Sequence, residues 1–252
     1  MASPRSLPSR VLPSVSYGPF RQIGAVPWLL LAALMRVLAF GGGLIAVPAI
    51  VIADVSLLLA FVIVTWKMVT ITNGQTSLAE RGLAQQLVMT RSVLVPIFGL
   101  LIAATCVAGL SGLTAEPGQL MMGFDGIAFD QATHIGRLWS PIVAAIVLLM
   151  VLQVDEGQKP NLFRAMRELL RRAAWLVPGA LLVAVLSILL HPVQGWFRSV
   201  ITGLWFKADA PQGIKIALFF SYVVIFATIR LWLTVAILVL ALRRSYRSGA
   251  QG

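Results

Sequence analysis

The sequence predicts an all-α integral membrane protein with about six transmembrane helices, and three observations carry that prediction. Hydrophobic residues make up 59% of the 252-residue chain and charged residues only 12%, whereas soluble domains are about one quarter charged. Apolar segments recur at lengths approaching the roughly 20 residues that cross a bilayer. Their alanine, leucine and valine content favours helices, whose backbone groups pair within one segment, over barrel strands.

The apolar segments divide the chain into a membrane domain with a basic stretch at each end. They lie at about residues 24–40, 47–68, 93–113, 139–154, 173–191 and 216–241. Together they define a polytopic helical membrane domain over residues 23–242. Residues 1–22 hold arginines, serines and prolines but no acid, which predicts a disordered basic tail. Residues 243–252 are expected to form a basic C-terminal tail.

The first two segments are joined by LMRVLAFGGGLIAVPAIVIAD, which holds Arg36 and Asp54 in apolar surroundings. Glycine frees the backbone to turn, so we expect the first helix to end at Gly41–Gly43 and the second to include Asp54. This arrangement leaves Trp66 and Lys67 at a membrane interface, where such residues anchor helices. The alternative is one long first helix that turns at Asp54 and leaves that residue on the outer surface.

The distribution of basic residues predicts that both termini lie in the cytoplasm. In that orientation the cytoplasmic segments collect Arg5, Arg10, Arg21, Arg81, Arg91, Lys159, Arg164, Arg167, Arg171, Arg172, Arg243, Arg244 and Arg247. The opposite side receives Arg137, Arg198, Lys207 and Lys215. Positive residues accumulate on the cytoplasmic side, so this asymmetry supports the orientation and an even number of spans. The composition, rich in Ala, Leu, Val and Arg, fits a multi-pass protein of a bacterial inner membrane.

A faint similarity links residues 47–113 with residues 139–191. Gly74–Gln75 aligns with Gly157–Gln158, and both segments would run in the same direction, as in a parallel repeat. The alternative is that any two helical hairpins with basic inner loops resemble each other without duplication.

The segment NLFRAMRELLRR, residues 161–172, predicts a short amphipathic helix with Asn161 as its N-cap. Its apolar residues share one face. The other face carries Arg164, Arg167, Arg171 and Arg172. Each basic group near anionic lipid contributes about 1 kcal/mol of attraction, so we expect this helix on the inner leaflet. It would contact lipid heads or a partner, or it would only anchor the next span.

The segment GWFRSVITGLWF, residues 195–206, predicts a second short interfacial helix, on the outer side. Trp196 and Trp205 recur at helical spacing with aliphatic residues, and tryptophan rings favour the headgroup level. This aromatic surface would contact lipid or a neighbouring protein, or it would be an ordinary aromatic belt.

The longest outer connection, residues 114–138, holds Glu116, Asp125, Asp130 and His134. Acids beside a histidine invite a metal interpretation, but their spacing fits no established ligand motif. The glycines in this connection argue for an irregular loop. We therefore expect no metal site there.

Arg36, Asp54 and Arg230 are predicted to form a charge cluster inside the membrane. Counted along the helices from the inner boundary, each lies about 20 Å into a core about 30 Å thick. A lone charge at such depth costs about 2.5–3.5 kcal/mol, so charged groups there pair or face a cavity. One interpretation is a tie between Asp54 and either arginine. The other is a hydrated pocket that binds an anion such as a phosphate or a lipid headgroup.

No catalytic motif accompanies these features: G-x-S-x-G, H-E-x-x-H and G-x-x-x-x-G-K are all missing from the sequence. We therefore expect neither an enzyme nor a cofactor. The net charge of +11 suggests nucleic acid, but the basic residues flank apolar segments, so anionic lipid is the expected partner instead. The sequence favours a non-catalytic accessory or scaffolding subunit that contacts partner membrane proteins and lipids. The alternative is a small permease, or permease subunit, for an anionic or lipid-like substrate.

Overall fold

A computed structural model describes residues 23–40, 42–72, 76–114, 116–131, 133–207 and 211–249. The helices are α1 (Val26–Phe40), α2 (Ala46–Ile71), α3 (Leu83–Ser111), α4 (His134–Asp155), α5 (Leu162–Arg171), α6 (Ala173–Lys207) and α7 (Gln212–Gly249). Short 3-10 helices occupy Ile23–Ala25, Leu78–Glu80, Pro117–Gly123 and Asp125–Ile127. Throughout these ranges the regular structure is helical, which confirms the all-α prediction for them. The predicted tail over residues 1–22 lies outside the described residues.

Five helices are long and apolar enough to cross a membrane: α2, α3, α4, and most of α6 and α7. The chain therefore has the helices of a multi-pass membrane protein. The sequence predicts about six transmembrane helices, and the difference from five lies at α1. This helix has 15 residues, which gives a length of about 22 Å. That is shorter than a hydrocarbon core of about 30 Å. Helix α1 packs antiparallel along α2, with Gly24 beside Ile63 at one end of the pair.

The turn between α1 and α2 lies at the glycines, as predicted. Gly42 and Gly43 have φ angles of 71° and 76°, in the left-handed region that glycine adopts without steric cost. Helix α2 begins at Ala46 and contains Asp54 near its start. The alternative of one long helix that turns at Asp54 is therefore wrong.

Helix α4 occupies the centre of the bundle. Of its most apolar stretch 72% is buried inside the protein, against 28% for α3 and for α6. It contacts α3, α5, α6 and α7, while α2 contacts α1, α3 and α7. Side chains such as Phe61, Leu148 and Met150 form one core across these helices. The outward faces of α3 and α6 are consequently exposed.

One end of the bundle, here the elbow end, contains the connections from α2 to α3 and from α4 to α5. Asp155 accepts hydrogen bonds from Ser77 N (2.7 Å) and Thr76 Oγ1 (3.0 Å), which fastens the first connection to the end of α4. In the second connection, Asn161 Oδ1 accepts from Arg164 N at 3.1 Å. The amphipathic helix and its predicted N-cap are thus confirmed. The predicted repeat stays a prediction, because residues 74–75 lie outside the described residues.

The opposite end of the bundle, the loop end, contains the connection from α3 to α4. Helices α6 and α7 have 35 and 38 residues, which gives lengths of about 52 and 57 Å. The prediction of a separate short helix at 195–206 is wrong, because these residues continue α6 without a break through Pro192. Residues 243–249 likewise continue α7, so the basic C-terminal stretch is helical as far as the structure describes it.

Candidate functional site

The connection between α3 and α4 folds back onto the bundle instead of forming the expected irregular loop. Its described residues 116–131 are called the plug here. Trp139 Nε1 donates to Leu120 O at 3.0 Å, and Gln131 Nε2 donates to Met122 O at 2.7 Å. Phe124 and Ile127 are buried in the core. The plug is therefore a packed part of the fold.

Glycine allows the plug to pack this closely against α4. A Cβ atom at Gly126 would collide with the Ser140 side chain, and one at Gly123 would collide with the Trp139 ring. A larger residue at either position would push the plug away from the helix. The glycines that suggest an irregular loop in the sequence are instead requirements of close packing.

The plug brings Asp125 to Arg36, where Asp54 also lies; these three residues are called the Arg36 cluster. Arg36 Nη2 donates to Asp54 Oδ1 at 3.1 Å, and the guanidinium forms a two-point ion pair with Asp125. The ring of Phe129 lies 4.9 Å from Arg36 Cζ. Asp54 and Asp125 are 5% and 6% exposed. Of the two ion pairs predicted for Asp54, the one with Arg36 is thus present, and Asp125 adds a second carboxylate to it.

Arg230 does not join this cluster, which corrects the prediction of one group around Asp54. Its Nη2 donates to Asp130 Oδ1 at 2.8 Å, and its Nε donates to Gln194 Oε1 at 2.9 Å. Asp130 Oδ2 also accepts from His191 Nδ1 at 2.6 Å. Arg137 Nε lies 3.9 Å from Asp130 Oδ1. These five residues are called the Arg230 cluster.

Each cluster joins the plug to neighbouring helices. The Arg36 cluster joins it to α1 and α2, and the Arg230 cluster joins it to α4, α6 and α7. In such a setting, removing one partner leaves an uncompensated buried charge and costs about 3–5 kcal/mol. The Arg230 cluster reaches the surface on one side, because the side chains of His191 and Asp130 are 38% and 24% exposed. The arrangement can hold the loop end rigid and present one imidazole and one carboxylate outward.

The arginines predicted to contact lipid or a partner occupy two different settings. Arg164, Arg167 and Arg171 are exposed on α5. Arg172 packs against α7, where its Nη1 donates to Ser245 Oγ at 3.1 Å and its guanidinium lies 3.8 Å from the Tyr246 ring centroid. It also pairs with Glu168. Lipid contact by these arginines stays a prediction, and Arg172 joins the start of α6 to the end of α7.

The two tryptophans predicted to contact lipid or a partner lie on the far part of α6. Trp196 is 62% exposed and packs edge-on against Phe197, with their ring centroids 4.9 Å apart. Trp205 is half-buried, and its carbonyl accepts from Lys215 Nζ at 2.8 Å. This bond joins α6 to α7 near the turn between them.

Sequence reasoning found Arg36, Asp54 and Arg230 but missed the plug carboxylates that pair with two of them. A usable signal was present: the membrane segments hold more arginines than acids, and the balancing carboxylates had to come from a connection. Within the described ranges, His, Cys, Asp and Glu side chains form no group of three or more that could hold a metal ion.

Comparisons with protein-family models, with curated proteins and with solved structures found no match to this chain.

Proposed function

We propose that this protein is a non-catalytic membrane subunit that scaffolds a partner membrane protein together with lipids. One observation carries the proposal. The long hairpin of α6 and α7 extends past the plug and displays aromatic and aliphatic side chains, while the charged groups behind it pair with one another inside the fold.

The internal charges support a structural role because their partners belong to the same chain. Arg230 is 3% exposed and is held by Asp130 and Gln194. Arg36 pairs with two carboxylates. A substrate that used Arg36 would first have to displace a buried carboxylate, and one that used Arg230 would have to displace both Asp130 and Gln194, which is costly in a site of low dielectric. The clusters therefore fit a role as clamps that hold a surface in place.

Gln194 on α6 and Tyr222 on α7 lie at the same height along the hairpin, and the residues beyond them form a projecting surface. Tyr222 donates to the carbonyl of Gln194 at 3.0 Å, beside Arg230. From Gln194 to Lys207 helix α6 rises about 20 Å, and from Tyr222 back to Gln212 helix α7 covers about 15 Å. Residues 195–207 and 212–221 are called the hairpin tip. It extends beyond the Arg230 cluster by roughly the length of three or four helical turns.

The hairpin tip has the composition of a protein-binding surface. Its exposed apolar side chains are Trp196, Phe197, Val200, Leu204, Phe206, Ile214, Ile216 and Leu218. Phe206 is 81% exposed and Trp196 is 62% exposed. Tryptophan is among the residues that carry most of the binding energy in protein interfaces. Arg198 and Lys215 add positive charge, so the expected occupant is a membrane protein with an apolar surface bordered by carboxylates.

Site-specific crosslinking combined with gentle extraction tests this proposal. A photoreactive residue at position 206 should capture one partner in defined stoichiometry, whereas the same residue at position 110 should not. The variant Trp196→Ala/Phe206→Ala should lose copurification of that partner. Its matched control, Leu110→Ala/Leu113→Ala, removes two exposed leucines at the same end of the bundle and should retain it. Purification of the wild-type protein alone, as a monodisperse particle, would contradict the proposal.

A second candidate function, a small permease or permease subunit for an anionic or lipid-like substrate, is favoured by Arg137. This arginine is 4% exposed, and its Nε has no hydrogen-bond partner among the described residues. An anion that enters beside His191 could accept a hydrogen bond from this Nε. In proteoliposomes, Arg137→Gln should then abolish anion flux and Arg164→Gln should preserve it. Absence of flux from the wild-type protein would reject this candidate.

The location that we infer is a bacterial inner membrane, with both termini in the cytoplasm. That orientation requires an even number of spans, so we infer that α1, although shorter than the hydrocarbon core, is the sixth. The elbow end supports this orientation, because it carries Arg81, Lys159 and the arginines of α5. Impermeant maleimide labelling of single cysteines in a Cys106→Ser background tests it. A cysteine at position 113 should react in intact cells, and one at position 164 should react only after permeabilisation. The reverse pattern would invert the topology.

A further inference from the structure

A groove of about 800 Å³ lies at the elbow end, between the start of α3 and the connection from α4 to α5. Neither the charge clusters nor the hairpin tip contributes to it. We propose that this groove binds one anionic phospholipid, whose phosphate contacts Arg81 and Lys159 and whose acyl chain follows α3. This inference goes beyond the scaffolding function, because it names a bound lipid and the residues that select it.

The polar wall of the groove is positively charged. Arg81 and Lys159 line it, and its described lining contains no carboxylate. Arg81 Nη2 donates to the Val154 carbonyl at 2.7 Å, which fixes the guanidinium against the end of α4. Its Nε is buried and has no hydrogen-bond partner among the described residues. Within the described ranges Nη1 also makes no hydrogen bond, so the N–H groups of Nη1 are left for phosphate oxygens.

The start of α3 adds a second attraction for an anion. Helix α3 begins at Leu83, and its N-cap residue Gly82 supplies no side-chain hydrogen bond. The first N–H groups of a helix have no acceptor within it, and they carry the positive end of the helix dipole. Ala84 and Gln85, in this first turn, line the groove. A phosphate near Arg81 would therefore also lie close to these N–H groups.

The apolar wall distinguishes a lipid from a free phosphate. Ala84, Val88 and Ser92 line the groove along one face of α3, over about 12 Å of helix. Val88 is 71% exposed, whereas Met89 behind it is 4% exposed and belongs to the core. A headgroup alone would leave this wall in contact with water. An acyl chain would cover it and continue along the lipid-facing side of α3.

The experiment is a titration of the purified full-length protein with phosphatidylglycerol or phosphatidylcholine, followed by native mass spectrometry. We expect one retained phosphatidylglycerol per chain. Arg81→Ala/Lys159→Ala should raise the dissociation constant of phosphatidylglycerol by about ten- to thirty-fold, since each cation contributes at most about a tenfold change in affinity. Val88→Trp should fill the groove and weaken binding without changing any charge. The control Arg164→Ala/Arg167→Ala removes two positive charges from the same end and should change the constant by less than about threefold.

Several results would overturn the proposal. Unchanged affinity in both groove variants would exclude the groove, and equal weakening in the α5 control would show an unspecific effect of net charge. Equal affinity for phosphatidylcholine would exclude selection by anionic charge. Displacement of the lipid by millimolar inorganic phosphate, together with normal binding by Val88→Trp, would assign the site to free phosphate. Since Arg81→Ala also removes the bond to Val154, Lys159→Ala alone and Val88→Trp provide tests that leave that bond intact.

Discussion

The two ends of the bundle place charge beside hydrocarbon in opposite ways. At the loop end, Asp54, Asp125 and Arg230 are almost fully buried and pair within the fold. At the elbow end, Arg164 and Arg167 are exposed on α5. A buried pair is costly to break, whereas an exposed charge contributes little to the free energy of unfolding. Charged side chains at the loop end therefore hold the plug and the helices together, whereas the arginines of α5 at the elbow end remain exposed on the surface.

The largest effect should come from Asp130→Ala, because this carboxylate faces Arg230, Arg137 and His191. Its loss leaves two buried arginines without a carboxylate and should lower the free energy of unfolding by about 3–5 kcal/mol. Thermal unfolding in detergent measures the change. The control is Glu116→Ala, an exposed carboxylate of the same plug, which should leave the melting temperature nearly unchanged. Equal effects from both variants would contradict the structural role given to the pairing of Asp130 with the buried arginines.

The Arg36 cluster should behave non-additively, because two carboxylates face one guanidinium. Asp54→Asn or Asp125→Asn alone should lower the free energy of unfolding by about 1 kcal/mol, because the other acid still pairs with Arg36. The double variant should cost about 3–5 kcal/mol. A double-mutant cycle from chemical or thermal unfolding measures the excess. Additive losses would mean that the two carboxylates act independently of Arg36.

Gly126→Ala tests whether the plug must pack closely for the loop end to hold its charges. The new methyl group would collide with Ser140, which should lower the free energy of unfolding by about 1–3 kcal/mol. Adding Ser140→Gly removes that obstacle and should recover part of the loss. The exposed glycine Gly118, which has no atom within 4 Å of an added Cβ, provides the control Gly118→Ala. Stability that is unchanged in Gly126→Ala would mean that the plug does not sit against α4 in solution.

The smallest effect on stability is expected at the elbow end. Arg164→Ala/Arg167→Ala should change the free energy of unfolding by no more than about 0.5 kcal/mol, since these side chains are exposed. Thermal unfolding in detergent measures the change. A large loss of stability would make α5 a buried structural helix instead of a surface one.

Whether a contact could be predicted from the sequence depends on how many residues separate its two partners along the chain. Arg36 and Asp54 are 18 residues apart, on two neighbouring helices joined by a glycine turn, so counting helical rise brings them to one level. Arg36 and Asp125 are 89 residues apart, and Arg230 and Asp130 are 100 residues apart. No periodicity relates a connecting loop to a distant helix. Those pairs therefore had to be found in three dimensions.

The sequence alone determined that this protein is a bundle of apolar helices and that α5 is amphipathic, and it favoured a turn at the glycines after α1. These properties depend on burial of apolar area and on local backbone geometry, which successive residues encode directly. Only the tertiary structure decided that the loop between α3 and α4 closes onto the bundle and that the arginines divide between two clusters. The physical reason is that a buried charge takes whichever opposite charge the fold brings within reach, and the fold, not the spacing of residues, sets that distance.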